Sequence, residues 1–158
     1  MATTGNFTSV QLLQHESDCT LEALSYETAI GIGRHATEMA LQRNLPIIIE
    51  IMFDGRTVYK SALEGSKVES ENWILRKSRV VNLKHHSTMH ERVKAEEEGR
   101  DWHADNGVAD ETHAIHGGGF PLISRAKGFE GILLISGLPQ VEDHLFAVEV
   151  LKRYIEKN

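Results

Sequence analysis

Nine histidines in 158 residues make metal or cofactor chemistry the first thing to test. His86 and His90 are spaced i, i+4, and His113 and His116 i, i+3, so each pair can share one helical face. A zinc site needs three or four converging ligands with second-shell partners that orient them. The chain has no H-E-x-x-H string, and its single cysteine, Cys19, follows Asp18 rather than a histidine. No metal site is therefore assigned, and His86, His90 and His113 are the residues a metal would draw on. A haem iron needs only one histidine on an apolar pocket, which spacing cannot single out.

Two glycine motifs have chemical precedents. Gly31-Ile-Gly33-Arg-His-Ala36 has the letters of a dinucleotide fingerprint. That motif works where a strand ends and a helix begins. Here it falls inside a helical pattern, so close packing against a sheet is the expected role. His116-Gly117-Gly118-Gly119 has the letters of an esterase oxyanion hole, but no G-x-S-x-G elbow accompanies it. Ser136 stands at a strand end without flanking glycines. Three glycines can offer backbone N–H groups to an anion or admit another chain closely, and a tight turn entering a strand needs them equally. Asp143 and His144 are neighbours on a helix and point about 100° apart, so Asp143 is read as a first-turn partner of the helix dipole.

Composition narrows the classes. The formal charge is −6, and the densest basic group, Arg76, Lys77 and Arg79, follows Glu69 and Glu71. That pattern excludes a nucleic-acid partner. The lone Cys19 fits a reducing compartment and a structural role. The start, Met1-Ala-Thr-Thr, has no basic stretch leading into an apolar one. No apolar run nears the roughly 20 residues that span a bilayer. The expectation is a cytoplasmic chain with no membrane partner.

The elements that must position these groups follow from periodicity. Ser25 caps a helix running to about Arg43. Pro46–Phe53 and Thr57–Leu63 form a hairpin about Asp54-Gly55, because that turn needs positive φ. Two helical stretches follow, the first from about Glu69, the second from about Thr88 to Glu98, and Asp101–Gly107 reads as a loop. Phe120–Arg125 and Glu130–Ser136 make a second hairpin, and Pro139 opens a final helix with Leu145, Val148, Leu151 and Ile155 on its apolar stripe. Val10, Leu12 and Leu13 can seed a short helix within the first 20 residues. The order α-ββ-αα-ββ-α predicts an α+β fold, an antiparallel β-sheet flanked by helices. One domain is expected over residues 1–158, with 1–20 an N-terminal extension and the core from about 24 onward.

The run His116-Gly-Gly-Gly-Phe-Pro-Leu-Ile, then Gly131-Ile-Leu-Leu-Ile-Ser-Gly-Leu-Pro-Gln, then Glu142-Asp143-His144, resembles the haem-degrading-domain family. That family includes the HbpS-like and GlcG-like proteins and the C-terminal domain of PduO-type adenosyltransferases. Ile51-Met-Phe-Asp-Gly and Asn72-Trp-Ile-Leu-Arg-Lys resemble its small, stand-alone, uncharacterised branch. The resemblance runs from about Leu24 to the end and implies a profilin-like layout, a homo-oligomer, and haem or a related tetrapyrrole as the ligand to test.

The leading expectation is thus a homo-oligomeric binding protein. It would hold a small planar or anionic molecule near His116, Gly117, Gly118, Gly119, Ser136 and His144. The alternative is a structural or adapter protein that uses Trp73, Phe120, Leu138 and Pro139 as contacts with another chain. A haem-degrading or metal-assisted enzyme ranks last, because no nucleophile, base or metal triad converges in the sequence.

Overall fold

The computed structural model describes residues 4–158, so the Met1-Ala-Thr start read above for leader character lies outside the described residues. Ten elements follow in chain order: α1 (Ser9–Asp18), α2 (Tyr26–Gln42), β1 (Ile48–Phe53), β2 (Arg56–Ala62), α3 (Glu69–Lys84), α4 (Thr88–Glu97), α5 (Trp102–Asn106), β3 (Gly119–Ser124), β4 (Gly128–Ser136) and α6 (Gln140–Lys157). The fold is α+β, with helices flanking an antiparallel sheet of order β2-β1-β4-β3.

Local chemistry explains most boundaries. The Ser25 side chain accepts the Thr28 N–H and starts α2, and the Asp54-Gly55 turn carries positive φ at both residues. The central strands β1 and β4 are covered on both faces, which is why neither alternates apolar with polar. Successive side chains point to opposite faces. Ile49, Ile51, Leu133 and Ile135 therefore pack with Ile32 and Ala36 of α2 and Phe146 and Leu151 of α6. Ile48, Ile132 and Leu134 pack with Ile74 and Val81 of α3. Gly33 lies against β2: a Cβ there would sit 2.3 Å from the Tyr59 ring, so this glycine is required by helix–sheet contact rather than by a nucleotide.

One segment departs from expectation. Asp101–Gly107 is not a loop; it holds the single-turn helix α5, capped by the Asp101 side chain and closed by Gly107 in the left-handed region. The helix is too short to show a period, but Asp and Gly at its two ends were legible as caps. Helix α1 is also integrated, since Leu12 packs with Met89 and Val93 of α4. Cys19 is buried, and burial pushes its thiol up to about 12, in keeping with a structural residue. Among the described residues no helix is long and apolar enough to cross a membrane.

Candidate functional site

Helix α3 enters the sheet face with Ser70, Trp73 and Lys77 along one line, and this line forms a wall of a cavity of about 300 Å³. The opposite wall is the β4–α6 corner: Ser136, Gly137, Leu138, Gln140 and Asp143. His116, in the loop before β3, closes one side.

Beneath the cavity lies a buried ion pair. Lys77 Nζ donates to Asp143 Oδ2 at 3.3 Å and to the Ile135 carbonyl at 2.9 Å, and the two side chains are only 3% and 2% exposed. Asp143 Oδ1 also accepts the Leu138 N–H at 3.0 Å. These bonds hold the β4–α6 corner on α3. Burial pushes the Asp143 carboxyl up, to about 6, against the pull of Lys77, and burial likewise lowers Lys77.

His116 sits edge-on to Trp73, with ring centroids 4.6 Å apart. Trp73 also carries the Arg76 guanidinium 4.3 Å from its ring centroid, and Arg76 is held by Asp110 at 3.0 Å. Burial, reinforced by the Arg92 and Lys77 charges, lowers His116 to about 4, so its imidazole is neutral at physiological pH. Its Nδ1 is buried and has no hydrogen-bond partner. Buried polar atoms are almost always paired. His116 thus presents a neutral imidazole with one unbonded, enclosed nitrogen beside an indole.

The other expected residues divide. His116, Ser136, Leu138 and Trp73 meet around the cavity, with Pro139 exposed beside it as the residue preceding α6. Gly117, Gly118 and Gly119 lie behind it, buried. The Gly117 N–H donates to Gln140 Oε1 and the Gly119 N–H to Thr88 Oγ1, so these two donors are already taken. Gly118 adopts φ +127, and a Cβ there would sit 2.2 Å from the Ile135 carbonyl oxygen, so close backbone approach is what these glycines provide.

Two residues are corrected by their surroundings. Phe120 is 1% exposed within its own chain and belongs to the main core, so it has no surface to offer another chain. In sequence, a phenylalanine at the start of a strand looks the same whichever way it faces. His144 lies away from the cavity, fully buried, with its Nε2 3.0 Å from His15 Nδ1 and its ring against Phe7 and Phe120. It points away from Asp143, as neighbours on a helix must. Of the three metal candidates, His86 and His90 come together with Glu16, and His113 stands elsewhere, bonded to Thr112 Oγ1. Lys77, Gln140 and Asp143 also line the cavity. The available signal for the buried pair was Lys77 itself, a charge within the apolar stripe of α3 that had to find a buried partner.

The comparisons with known proteins agree on one lineage. The family model described as haem degrading protein HbpS-like matches residues 24–152. A UPF0303 protein of Streptomyces avermitilis is 31% identical over 147 residues, covering 93% of this chain and 90% of that protein. The crystal structure of Ybr137w superposes with a TM-score of 0.87 at 25% identity, over 96% of this chain and 90% of that one. The crystal structure of a PduOC:heme complex gives 0.69 at 22% identity, over 84% and 95%, a likeness of fold.

Proposed function

This chain belongs to the HbpS-like family, and from that premise we propose that its residues 1–158 act as one domain of a homo-oligomeric protein that binds a flat, partly apolar ligand, haem or a similar tetrapyrrole, against Trp73 and His116. The observation that supports this reading is a neutral His116 in the wall of a cavity floored by a buried ion pair, with an enclosed Nδ1 that no hydrogen bond holds and that a turn of the ring would bring to a ligand. A protein of similar fold, PduOC, was solved as a heme complex.

The residues suit the group. A neutral imidazole is the form that ligates haem iron. The Trp73 ring and Leu138 give an apolar contact, and Lys67 at the rim gives a cation for a propionate. Bound haem would supply redox or ligand-binding chemistry; His116 would hold the iron, and Trp73 and Leu138 would give the apolar contact.

Size argues for a second copy. About 300 Å³ is the lower end for small-molecule sites, too little to enclose a whole macrocycle. Exposed apolar residues run along α3 from the cavity mouth: Val68 at 83%, Leu75 at 47% and Leu83 at 50%. At 100° per residue they fall within an arc of about 80° on the helix. The same stripe favours the second reading, an adapter working through protein contacts.

Titration with haemin, followed by absorbance, tests the first reading. A saturable Soret shift is expected at a fixed ratio per subunit, with affinity reduced about tenfold or more in His116→Ala, roughly 1.4 kcal/mol per decade. An equal shift in His116→Ala would reject it. For self-association, Leu75→Glu is expected to lower the mass seen by light scattering while leaving the circular dichroism unchanged. A wild-type chain that is monomeric at micromolar concentration, or an unaltered oligomer in the variant, would remove α3 as the contact.

A further inference from the structure

We propose that Glu16, His86 and His90 form a binding site for one divalent transition-metal ion of the zinc class, separate from the Trp73–His116 cavity. The three residues come from the last turn of α1, the α3–α4 junction and the first turn of α4. Each offers a ligand atom, and these atoms lie within 4.8 Å of one another. Metal–ligand bonds of about 2.0–2.2 Å in tetrahedral geometry need ligand atoms about 3.4 Å apart. Closing the set therefore takes about an ångström of movement. The His86 side chain, 41% exposed, is free to supply it, while Glu16 and His90 are held in place at 6% and 4%.

The surroundings are those of a prepared site. His90 Nδ1 donates to Glu91 Oε2 at 3.0 Å, and the other Glu91 oxygen accepts the Trp102 indole N–H at 3.0 Å. A carboxylate that fixes one imidazole nitrogen, and is itself fixed, leaves Nε2 as a lone pair in a set orientation. That is the second-shell arrangement metal-ligating histidines use. Glu16 accepts the Ser87 N–H on Oε2, which leaves Oε1, now bonded to His86 Nδ1, as the ligand oxygen. A carboxylate capping α4 explains the Ser87 bond alone. It explains neither the second imidazole, whose ring centroid lies 4.6 Å from that of His86, nor the Glu91–Trp102 brace behind it.

His86 and His90 both face a cavity of about 370 Å³ between α4 and α5, which shares no lining residue with the haem candidate. Two imidazoles and one carboxylate leave at least one coordination position open to water from that cavity. Nitrogen and oxygen donors without thiolate favour Zn²⁺, Co²⁺, Ni²⁺ or Fe²⁺ over Ca²⁺ or Mg²⁺.

The test is titration of chelator-treated full-length protein with Co²⁺, read by its visible d–d bands, then displacement by Zn²⁺. One equivalent per chain is expected, with Ca²⁺ ineffective. His86→Ala, at a side chain 41% exposed, is expected to abolish the bands, with circular dichroism checking that the fold is kept. Glu91→Gln should weaken binding 10- to 100-fold without removing a ligand. Absence of saturable Co²⁺ and Zn²⁺ binding overturns the proposal. So does undiminished binding in His86→Ala, which would place the metal elsewhere. Neither result bears on the haemin titration of His116→Ala.

Discussion

Lys77→Ala is expected to destabilise the fold by about 3–5 kcal/mol, because it leaves the Asp143 carboxylate buried without its partner. Lys77 also supplies the hydrogen bond to the Ile135 carbonyl, so its loss strands a backbone acceptor as well. The deficit should shrink as the pH is lowered and Asp143 takes up a proton, since burial already holds that carboxyl near 6 with Lys77 present. Urea denaturation at several pH values measures both effects. A paired replacement, Lys77→Met with Asp143→Leu, should recover much of the loss, as an apolar pair has no charge left to desolvate. A cost below about 1 kcal/mol in the single variant would mean that water reaches the pair through the cavity floor.

Acid should unfold the protein by way of His144. This side chain is fully buried, and burial, then the neighbouring His15, lowers it to about 3 from 6.5. A histidine whose folded value is depressed contributes stability in full above its unfolded value, and that contribution is lost as the pH falls from 6.5 toward 3. At 1.36 kcal/mol per unit the loss is on the order of 5 kcal/mol if the fold survives to the lower limit. His15 is lowered too, so a second proton arriving there would place two cations at a 3.0 Å contact. His144→Phe, into a space already lined by Phe7 and Phe120, should remove about one proton from the slope of stability against pH between 6.5 and 4.5. An unchanged slope in that variant would move the acid sensitivity to other groups.

Those two buried polar contacts also mark the border of what the sequence makes legible. The hairpins, their turns and the long helices follow from local chemistry: Ser25 capping α2, Asp54-Gly55 in a positive-φ turn, and Val148 and Leu151 on the buried face of α6, though Leu145, expected on that stripe, is 40% exposed and Phe146 takes the core position. The family was readable from the strings about His116, Ser136 and Asp143. Of the residues singled out in the sequence, His116, Ser136, Leu138 and Trp73 do line one cavity. What was not legible depends on the angle at which elements cross. Phe120 and His144 belong to the strings that carry the resemblance, yet the period of a strand and of a helix turns both into the core. Glu16 joins His86 across 70 positions of chain, and nothing in either neighbourhood announces it. Helix α5 escaped for a simpler reason, since one turn is too short for a period to register.

The middle of the sheet has a consequence for how the chain reaches this state. The two hairpins are each local, but the ladder that joins them pairs Ile48 with Ser136 and Phe53 with Gly131. Those partners are separated by the whole stretch from β2 through β3. A ribosome delivering the chain from its N-terminus releases the first hairpin and the α2 face long before the strand that must cover β1 exists. Until β4 emerges, the apolar edge of β1 has no partner, and sheet closure waits on a contact of long sequence separation. The step that completes the core is therefore also the one that organises the β4–α6 corner, so that cavity and core should appear in the same late event of folding.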